Sequence, residues 1–432
     1  MTLLNEGVLP RLSSLAASPT FIIACVIPIA LFAFQKQSNG APGAQNPRGC
    51  RKLGIHQTSN LADEHDERYG QRVEPGKDED GMPSWRIKAL AAYPIKSCKA
   101  VELESAHVVG TGFEYDRHFC LAEYITPTSV KPGATEAESA PRWVFRTLRE
   151  GKYNRLTQVQ PEIWVVDPES PTYSPDLEEV SWGGVLLVRY PKQKPDGLCG
   201  LMTSLGSIFG LYNPEGSFKV PLNVPEEENY PRREVRIFKD FPIAVDLGAH
   251  LPLSFKKFIG AQNPLTLFRA DPKHYREIFR CAPRKEEVGF QPAVGFADTY
   301  PLHLLNLASV RDLGKRTAST IPKLTIRRFR PNIVIQGPGP YEEDAWKRIR
   351  INEHEIAAAA RTTRCRLPNV DPDSGERHDS EPDKTMRSFR CIDEGDPRKA
   401  CLGMQMVPSS QDFTLRVGDE LVVLETGKHS WI

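Results

Sequence analysis

Short stretches of alternating apolar and polar residues recur through the chain, and they restrict its possible folds more than any other feature. In the first stretch, "RIKALAAYPIKS", apolar side chains occupy every second position: Ile87, Ala89, Ala91, Tyr93 and Ile95. This two-residue period is typical of a β-strand with one buried face. Similar stretches follow before residue 250: "AVELESAHVV", "HFCLAEY", "EIWVVDP", "GVLLVRYP", "REVRIFKD" and "PIAVDL". Many short strands separated by turns predict a β-barrel or a strongly bent sheet.

Helical patterns are fewer, and they lie in the second half of the chain. "LSFKKFIG" (253–260) is a short amphipathic candidate, and "SVRDLGKRTA" predicts a helix that opens at Ser309 with Asp312 three residues later, similar to a capping box. The sequence "KLTIRRFRPNIVIQG" then returns to strand, and "DELVVLET" is the last clear strand. The fold class is therefore α+β and β-rich, with a domain boundary expected between residues 245 and 260.

A long apolar run near the N-terminus predicts a membrane anchor. Residues 15–34, "LAASPTFIIACVIPIALFAF", carry no charge over 20 residues, which is just enough for a helix to cross ~30 Å of hydrocarbon. A cleaved secretory signal is the alternative, but the run is long and no clean A-x-A site precedes Gln35. One basic residue precedes the run and four follow it before residue 53. The positive-inside rule then predicts that the C-terminal part lies in the cytosol.

Two polar segments lack hydrophobic periodicity. Residues 35–84 are rich in Gly, Pro, Asn, Asp and Glu, a composition typical of a disordered tether. Residues 126–141 have a similar composition and are expected to form a long loop within the first domain.

Charge and cysteine spacing exclude several classes of function. With 56 Lys and Arg against 55 Asp and Glu, the formal net charge is +1, so nucleic acid is not an expected partner. Nine scattered cysteines without a CxxC or CxxH pair speak against a zinc site and against a disulfide framework. No G-x-G-x-x-G sequence opens a strand–turn–helix unit, so no flavin or nicotinamide site is expected.

One cysteine has an unusual setting. Cys365 lies between Arg364 and Arg366, just before a Pro/Asp/Gly-rich turn. Basic neighbours favour the ionised form of a thiol, and a thiolate can bind a soft metal or take part in redox chemistry. A structural thiol is the third possibility, and the residues alone do not decide among the three.

Polar residues also follow several predicted strands. They are Lys96 and Ser97 in "YPIKSCK", Arg117 in "EYDRHF", and Arg330 and Asn332 in "RFRPNIVI". Lysine and arginine together with a hydroxyl suit a phosphate. Taken alone, however, such residues are more often solvated surface charges or members of ion pairs.

Four blocks of sequence resemble the MOSC N-terminal β-barrel domain and the MOSC domain, in the order in which these domains occur. The blocks are "YPIKSCKAVELESAHVVGTGFEYDRHFCL", "FADTYPLHLLNLASVRDLGKR", "RFRPNIVIQGPGPYEEDAWKRIRI" and "RCRLPNVDPDSGERHDSEPDKTMRSFR". The resemblance covers about residues 85–425, and it extends in particular to the membrane-anchored mitochondrial amidoxime-reducing components. It implies a MOSC N-terminal β-barrel domain at 85–250 and a MOSC barrel domain with a few short helices at 251–432. A tail (1–14), the anchor (15–34) and the tether (35–84) would precede them.

The same resemblance implies roles for individual residues. Cys365 would ligate molybdenum, and Arg364 would contact the cofactor. Seven further residues would hold the molybdopterin, the first three of them at its phosphate: Lys96, Ser97, Arg117, Asp298, Thr299, Arg330 and Asn332. Many relatives have a cysteine at the position of Thr362; because the implied ligand is the second cysteine, activity is expected to survive.

As a function, the resemblance implies a molybdenum-cofactor oxidoreductase that reduces N-hydroxylated compounds such as amidoximes, with release of water. Electrons would come from a cytochrome b-type haem protein and its NADH-dependent flavin reductase, at the outer mitochondrial membrane. One alternative is a cofactor carrier or sulfur-transfer module, because MOSC domains also form the C-terminal part of molybdenum-cofactor sulfurases. Another is a non-catalytic membrane scaffold. Substrate choice is expected to depend on the long segments 126–141 and 195–230, which enlarge the first domain.

Overall fold

The computed structural model describes most of the chain from residue 46 onward. The described residues are 46–126, 140–192, 207, 213–224 and 230–429. The predicted tail and anchor (1–34) lie outside them, as do most of segment 126–141 and much of segment 195–230. Among the described residues, no helix combines the length and the apolar character needed to cross a bilayer.

The chain divides into two compact units. The larger unit comprises Pro47–Pro191 and Phe218–Ile432, and the smaller comprises Met1–Asn46 and Lys192–Ser217. Except for strand residues 215–217, every element and cavity described below belongs to the larger unit.

Strands form most of the regular structure in the described residues. They are β1 Cys50–Lys52, β2 Gly76–Lys77, β3 Pro83–Ala92, β4 Val101–Leu103, β5 Ser105–Val109, β6 Gly112–Phe113, β7 Phe119–Ile125, β8 Arg142–Phe145, β9 Gln160–Val166, β10 Val185–Pro191, β11 Glu215–Pro221, β12 Arg232–Arg236, β13 Ile243–Asp246, β14 Leu265–Ala270, β15 Arg276–Glu277, β16 Ala293–Val294, β17 Leu302–Asn306, β18 Ile333–Gln336, β19 Trp346–Ile351, β20 His354–Thr363, β21 Cys401–Pro408, β22 Phe413–Arg416 and β23 Glu420–Thr426.

Helices are short and few within the same residues. The α-helices are α1 Glu178–Ser181, α2 Leu253–Ile259, α3 Lys285–Val288, α4 Leu307–Thr317 and α5 Asp383–Phe389. Single turns of 3₁₀-helix lie at Glu67–Gly70, Leu148–Glu150, Asn154–Gln158, Gly248–His250, Pro272–His274, Ile326–Phe329, Glu342–Ala345 and Leu367–Asn369.

Two closed barrels organise these strands. In the first, the strand order is β18-β17-β21-β20-β19-β23-β3, and β18 also pairs with β3, which closes the ring. In the second, β12-β13-β14-β7-β8 close because β8 pairs in parallel with β12. Smaller sheets are formed by β1-β9-β10-β11, by β22-β5-β6 and by β15-β16. The predicted fold class, β-rich with barrels and a few short helices, is confirmed.

Strand pairing crosses the boundary predicted at residue 250. The early strand β3 pairs with the late strands β18 and β23, and β5 pairs with β22. Period-two alternation identifies a strand but not its partner, because the partner is chosen by contacts between distant segments. The domain boundary near residue 250 therefore remains a prediction. Strands from before and after residue 250 together form the first barrel.

The predicted helix at 253–260 is confirmed as α2, but the start of α4 differs from the prediction. Asn306, not Ser309, caps α4: its side-chain oxygen accepts a hydrogen bond from the Ala308 amide at 3.1 Å. The Ser309 hydroxyl lies inside the helix and donates to Glu343 at 2.7 Å. Asn306 ends β17, and asparagine is as good a cap as serine, so the helix begins immediately after the strand.

The strand predicted for "KLTIRRFRPNIVIQG" is only partly correct. Ile326–Phe329 form a 3₁₀ turn, and the strand is limited to Ile333–Gln336. Arg330 between them has a left-handed backbone with φ 55°, a conformation that cannot continue a strand.

The prediction of a disordered tether is wrong for its described part, residues 46–84. β1 pairs with β9, Leu61 and Glu64 are buried, and the Glu64 carboxylate accepts a hydrogen bond from the Ile326 amide at 2.8 Å. These contacts reach segments far along the chain, so local composition does not reveal them.

Candidate functional site

Five loops that follow or precede barrel strands converge on one cavity of about 340 Å³. All nine residues predicted from the sequence line it: Lys96, Ser97, Arg117, Asp298, Thr299, Arg330, Asn332, Arg364 and Cys365. They come from the ends of β3, β7, β17, β18 and β20. The structure therefore brings together residues that are up to 269 positions apart (365 − 96), while their individual roles remain predictions.

An ion-pair group occupies one wall of this cavity. Lys96 is buried, and its Nζ donates to the Phe296 carbonyl at 2.7 Å and to the Asp298 carboxylate. Arg149 donates to the other Asp298 oxygen at 2.5 Å. Burial lowers the pKa of Lys96, and Asp298 counteracts this. Desolvation alone would raise the pKa of Asp298, but Lys96 and Arg149 hold it well below its usual range.

Two arginines lie against the ring of one buried tyrosine, Tyr93. The guanidinium carbons of Arg117 and Arg330 lie 4.4 Å and 4.2 Å from the centroid of the Tyr93 ring. Arg117 also donates to Asp116 at 2.5 Å and to Asn332 at 2.8 Å. Burial lowers the pKa of Arg330 to about 10. This packing holds both cations in fixed positions at the cavity wall.

Asn332 is fully occupied by contacts within the protein. Its Nδ2 donates to the Ala91 carbonyl at 3.0 Å, and its Oδ1 accepts from Arg117 and from the His303 amide at 3.1 Å. Asn332 therefore orients Arg117 and joins β3 to β17.

Arg364 is similarly held from several sides. It donates to Leu402 O, to Phe329 O and to His303 Nε2, the last at 2.7 Å. Burial and Arg364 lower the pKa of His303 well below its usual value, so this imidazole is neutral and its Nε2 accepts. A Cβ at Gly403 would lie 2.6 Å from His303 Nε2, so a glycine is required for the ring to fit.

Cys365 lies two residues beyond the end of β20 and is partly exposed. Three arginines interact electrostatically with it: Arg364, Arg149 and Arg377. Only the first of them is a sequence neighbour, so most of the positive environment comes from distant segments.

Arg366 directly follows Cys365 in the sequence, but it does not add to the positive environment of that thiol in the way its position suggested. Its side chain is 70% exposed, and its Nε lies 3.5 Å from Asp383. Neighbours in the chain at a strand end can face different sides, so adjacency alone is a poor guide to electrostatic environment.

Three residues that line this cavity have strained backbone conformations. Ser97, Arg117 and Arg330 all have left-handed φ values, of 71°, 50° and 55°. Such values are uncommon for residues other than glycine and gather at functional sites. Three of the nine predicted residues thus share a backbone feature that the sequence did not reveal.

Sequence reasoning missed Arg149, His303 and Thr362 as cavity residues. Arg149 lies in a 3₁₀ turn, and the Leu148 amide in that turn donates to the Ser97 hydroxyl at 3.3 Å. Thr362 is adjacent to the "TRC" sequence, and this proximity was the one available signal. The other two carried no local pattern.

The cavity fits a polyanionic ligand. Among the described residues that line it, one is acidic, Asp298, and seven are basic: Lys96, Arg117, Arg149, Arg330, Arg361, Arg364 and Lys399. Two buried polar atoms on its wall, Arg330 Nη2 and Thr362 Oγ1, have no hydrogen-bond partner. Buried polar groups are normally hydrogen-bonded, so these atoms indicate a place for a polar ligand. Among the described residues, no group of three or more His, Cys, Asp or Glu side chains could hold a metal ion.

Comparison with known proteins supports the two-domain reading. The MOSC N-terminal beta barrel domain family matches residues 84–132, and the MOSC domain family matches residues 291–422. Mitochondrial amidoxime-reducing component 1 of Mus musculus is 37% identical over 137 residues, which is 30% of this chain and 38% of the relative. The Danio rerio protein of the same name is 27% identical over 231 residues, or 53% and 68% of the two chains.

A relative of a different name covers more of this chain. The molybdenum cofactor sulfurase of Oryza sativa subsp. japonica is 31% identical over 315 residues, which is 70% of this chain and 31% of the relative. This chain thus spans well under half the length of the mouse and rice relatives that it matches. From residue 84 onward, the chain contains a MOSC N-terminal beta barrel domain followed by a MOSC domain, as the sequence resemblance predicted.

Proposed function

We propose that this protein is a molybdenum-cofactor oxidoreductase that reduces N-hydroxylated compounds of the amidoxime type. The MOSC domain and the named relatives imply binding of the molybdenum cofactor. The observation that carries the proposal is the convergence on one basic cavity of the nine residues that the family resemblance implies, with Cys365 as the one cysteine among the described residues that line it.

The chain's own residues suggest how the cofactor would be held. Cys365 would be the protein's thiolate ligand, since a thiolate suits a soft metal. Lys96 and Arg117 would face the phosphate, where an incoming anion would share Lys96 with Asp298. Arg330 Nη2 and Thr362 Oγ1 would gain their missing hydrogen bonds. The bound cofactor would supply the two-electron chemistry, and the protein would position it and the substrate.

Further proposals concern partners and location. Electrons would come from a cytochrome b-type haem protein and an NADH-dependent flavin reductase. The apolar run 15–34 would anchor the protein in a membrane, most simply the outer mitochondrial membrane, with the C-terminal part in the cytosol. Resistance of the full-length protein to carbonate extraction would support the anchor, and complete release into the supernatant would contradict it.

The substitution Cys365→Ser tests the central proposal. A serine oxygen is a poor replacement for a soft thiolate, so molybdenum content and benzamidoxime reduction with a chemical reductant should fall at least a hundredfold. The melting temperature should change little, because Cys365 is partly exposed. Cys281→Ser, at an exposed cysteine, is the matched control and should behave as wild type. Wild-type activity in Cys365→Ser would refute the assignment.

A carrier or sulfur-transfer module is the second candidate, favoured by the 70% of this chain that matches the rice sulfurase. In that case the purified protein would contain molybdenum and pterin but would not reduce benzamidoxime. A non-catalytic scaffold would contain neither, so metal and pterin analysis combined with the benzamidoxime assay separates the three functions.

A further inference from the structure

A second cavity, of about 440 Å³, lies outside the predicted cofactor site. Aromatic rings form much of its wall: Tyr115, Tyr275 and Phe290. The imidazole of His118 lies between two of them, with ring centroids 6.4 Å from Tyr115 and 6.0 Å from Tyr275. Tyr115 has a left-handed backbone with φ 66°, a strained conformation of the kind that gathers at functional sites. The cavity thus offers flat apolar surfaces on more than one side.

His118 supplies an unsatisfied polar group to this cavity. His118 is only 7% exposed, and its Nε2 atom is buried with no hydrogen-bond partner. Burial, followed by the nearby Arg269, lowers the pKa of His118 to about 3, so the ring is neutral at physiological pH. Native proteins rarely leave such an atom unpaired, and a ligand in the cavity would satisfy it.

Arg269 supplies a buried positive charge. It is 6% exposed, and it donates to Leu222 O at 2.8 Å, to Ala270 O at 3.2 Å and to Asn223 Oδ1 at 2.9 Å. These acceptors are uncharged, and no carboxylate among the described residues lies within ion-pair distance of its guanidinium. A guanidinium has more N–H groups than these bonds use. Its charge and remaining donors are therefore available to an anion.

Asp271 acts electrostatically on Arg269 without forming an ion pair with it, and the acidic residue of the cavity wall itself is Glu114. Its electrostatic effect falls on Tyr115, where burial and then Glu114 raise the pKa of the phenol. Two of the polar groups on the wall are thus an imidazole nitrogen and an arginine, both beside aromatic rings.

We propose that this cavity binds a small planar aromatic carboxylate. The ligand's ring packs against Tyr115, Tyr275 and Phe290, and its carboxylate accepts hydrogen bonds from Arg269 and from Nε2–H of His118. The proposal does not depend on the function proposed for the first cavity.

Titration with 4-fluorobenzoate, followed by ¹⁹F NMR on the whole protein, tests this site. Wild type should bind one equivalent saturably, and the neutral analogue 4-fluorobenzamide should bind at least tenfold more weakly. His118→Phe keeps a flat ring but removes Nε2, so it should weaken benzoate binding about tenfold to a hundredfold, the value of one charge-assisted hydrogen bond. His56→Phe, the same change at an exposed histidine, should bind as wild type.

Two more variants keep the test decisive. Tyr275→Ala, at a partly exposed position, should also weaken binding about tenfold, which covers the case in which His118→Phe does not fold. Arg149→Ala, in the first cavity, should leave binding unchanged. Absence of saturable binding, equal binding of the benzamide, or loss of binding in Arg149→Ala together with retention in His118→Phe would overturn the proposal.

Discussion

Arg117 and His118 are neighbours in the chain, yet they line different cavities. Arg117 donates hydrogen bonds to the Asp116 carboxylate, to Asn332 and to the Arg330 carbonyl. His118 is neutral, and its Nε2 has no partner. One side of this short segment therefore belongs to a preassembled hydrogen-bond network, and the other contributes a buried, unpaired nitrogen to a cavity rich in aromatic rings.

The two cavities differ in how far the protein itself satisfies their hydrogen-bonding groups. In the first cavity most donors are already satisfied by the protein, so the geometry of the cations is set before any ligand arrives. In the second, the Nε2 atom of His118 lies unpaired beside aromatic rings, so a ligand would complete its hydrogen bonding. The first cavity should therefore be sensitive to substitution of its own members, and the second should tolerate substitution until a ligand is added.

The largest effect is expected from Arg117→Ala. The substitution leaves the buried carboxylate of Asp116, 3% exposed, without its guanidinium partner, and loss of one member of a buried pair costs about 3–5 kcal/mol. His118→Phe should change the free energy of unfolding at pH 7 by less than about 1.5 kcal/mol. Urea denaturation of both variants measures the contrast.

Asp116→Asn in the Arg117→Ala background is the control. It removes the orphaned charge and should recover part of the loss. A smaller cost for Arg117→Ala than for His118→Phe would contradict the comparison.

The next largest effect is a pH dependence of the free energy of unfolding, to which His118 contributes. Because burial lowers its pKa from 6.5 to about 3, the unfolded chain takes up a proton that the folded chain does not between these values. Stability is therefore full above pH 6.5 and falls as pH decreases, by about 2 kcal/mol at pH 5. His303, whose pKa is well below its usual value, and His429, whose pKa is lowered by burial, should add losses of the same sign.

Urea denaturation at pH 7 and pH 5 tests this dependence. His118→Phe should lose part of the wild-type difference between the two pH values, since His303 and His429 remain. An unchanged difference would show that His118 is not held neutral.

A smaller effect is expected at Asp298, in the first cavity. Lys96 and Arg149 hold its pKa below the usual 3.8 despite desolvation, so its contribution is full above pH 3.8 and is lost as pH falls further. Its side chain is 42% exposed, so solvent screens the pairs, and Asp298→Asn should cost only about 1 kcal/mol at pH 7. Thermal unfolding should show the two proteins converging toward pH 3, and a constant gap would contradict the sign.

The smallest effect is expected from Thr362→Val. The Thr362 hydroxyl is buried without a partner, so a methyl group of similar shape should leave the free energy of unfolding unchanged or raise it by up to about 1 kcal/mol. Cofactor retention during gel filtration should decrease, because the proposed contact is lost. A large loss of stability would show that the hydroxyl is paired after all.

The residues of the first cavity were easier to predict from the sequence than those of the second. Cys365, Lys96 and Arg330 stood beside recognisable strand ends and blocks of family resemblance, so their association could be predicted. His118 and Arg269 carried no such pattern, although His118 lies in a predicted strand; Arg269 lies in β14, which the sequence analysis did not predict. The boundaries of α4 and the ordered part of 46–84 were misjudged because caps and strand partners outside the local window determined them.

The sequence by itself determined the β-rich class and the positions of several strands, because period-two alternation is a local property. The family resemblance supplied the nine residues that converge on the first cavity. The tertiary structure alone decided which charges meet. Arg117 donates to Asn332, 215 positions away, and Arg364 donates to His303, 61 positions away. Arg149 and Arg377 interact electrostatically with Cys365, while Arg366 lies beside Asp383. Hydrogen bonds and ion pairs act only over a few ångströms, so these contacts exist only once barrel closure has brought the strand ends together.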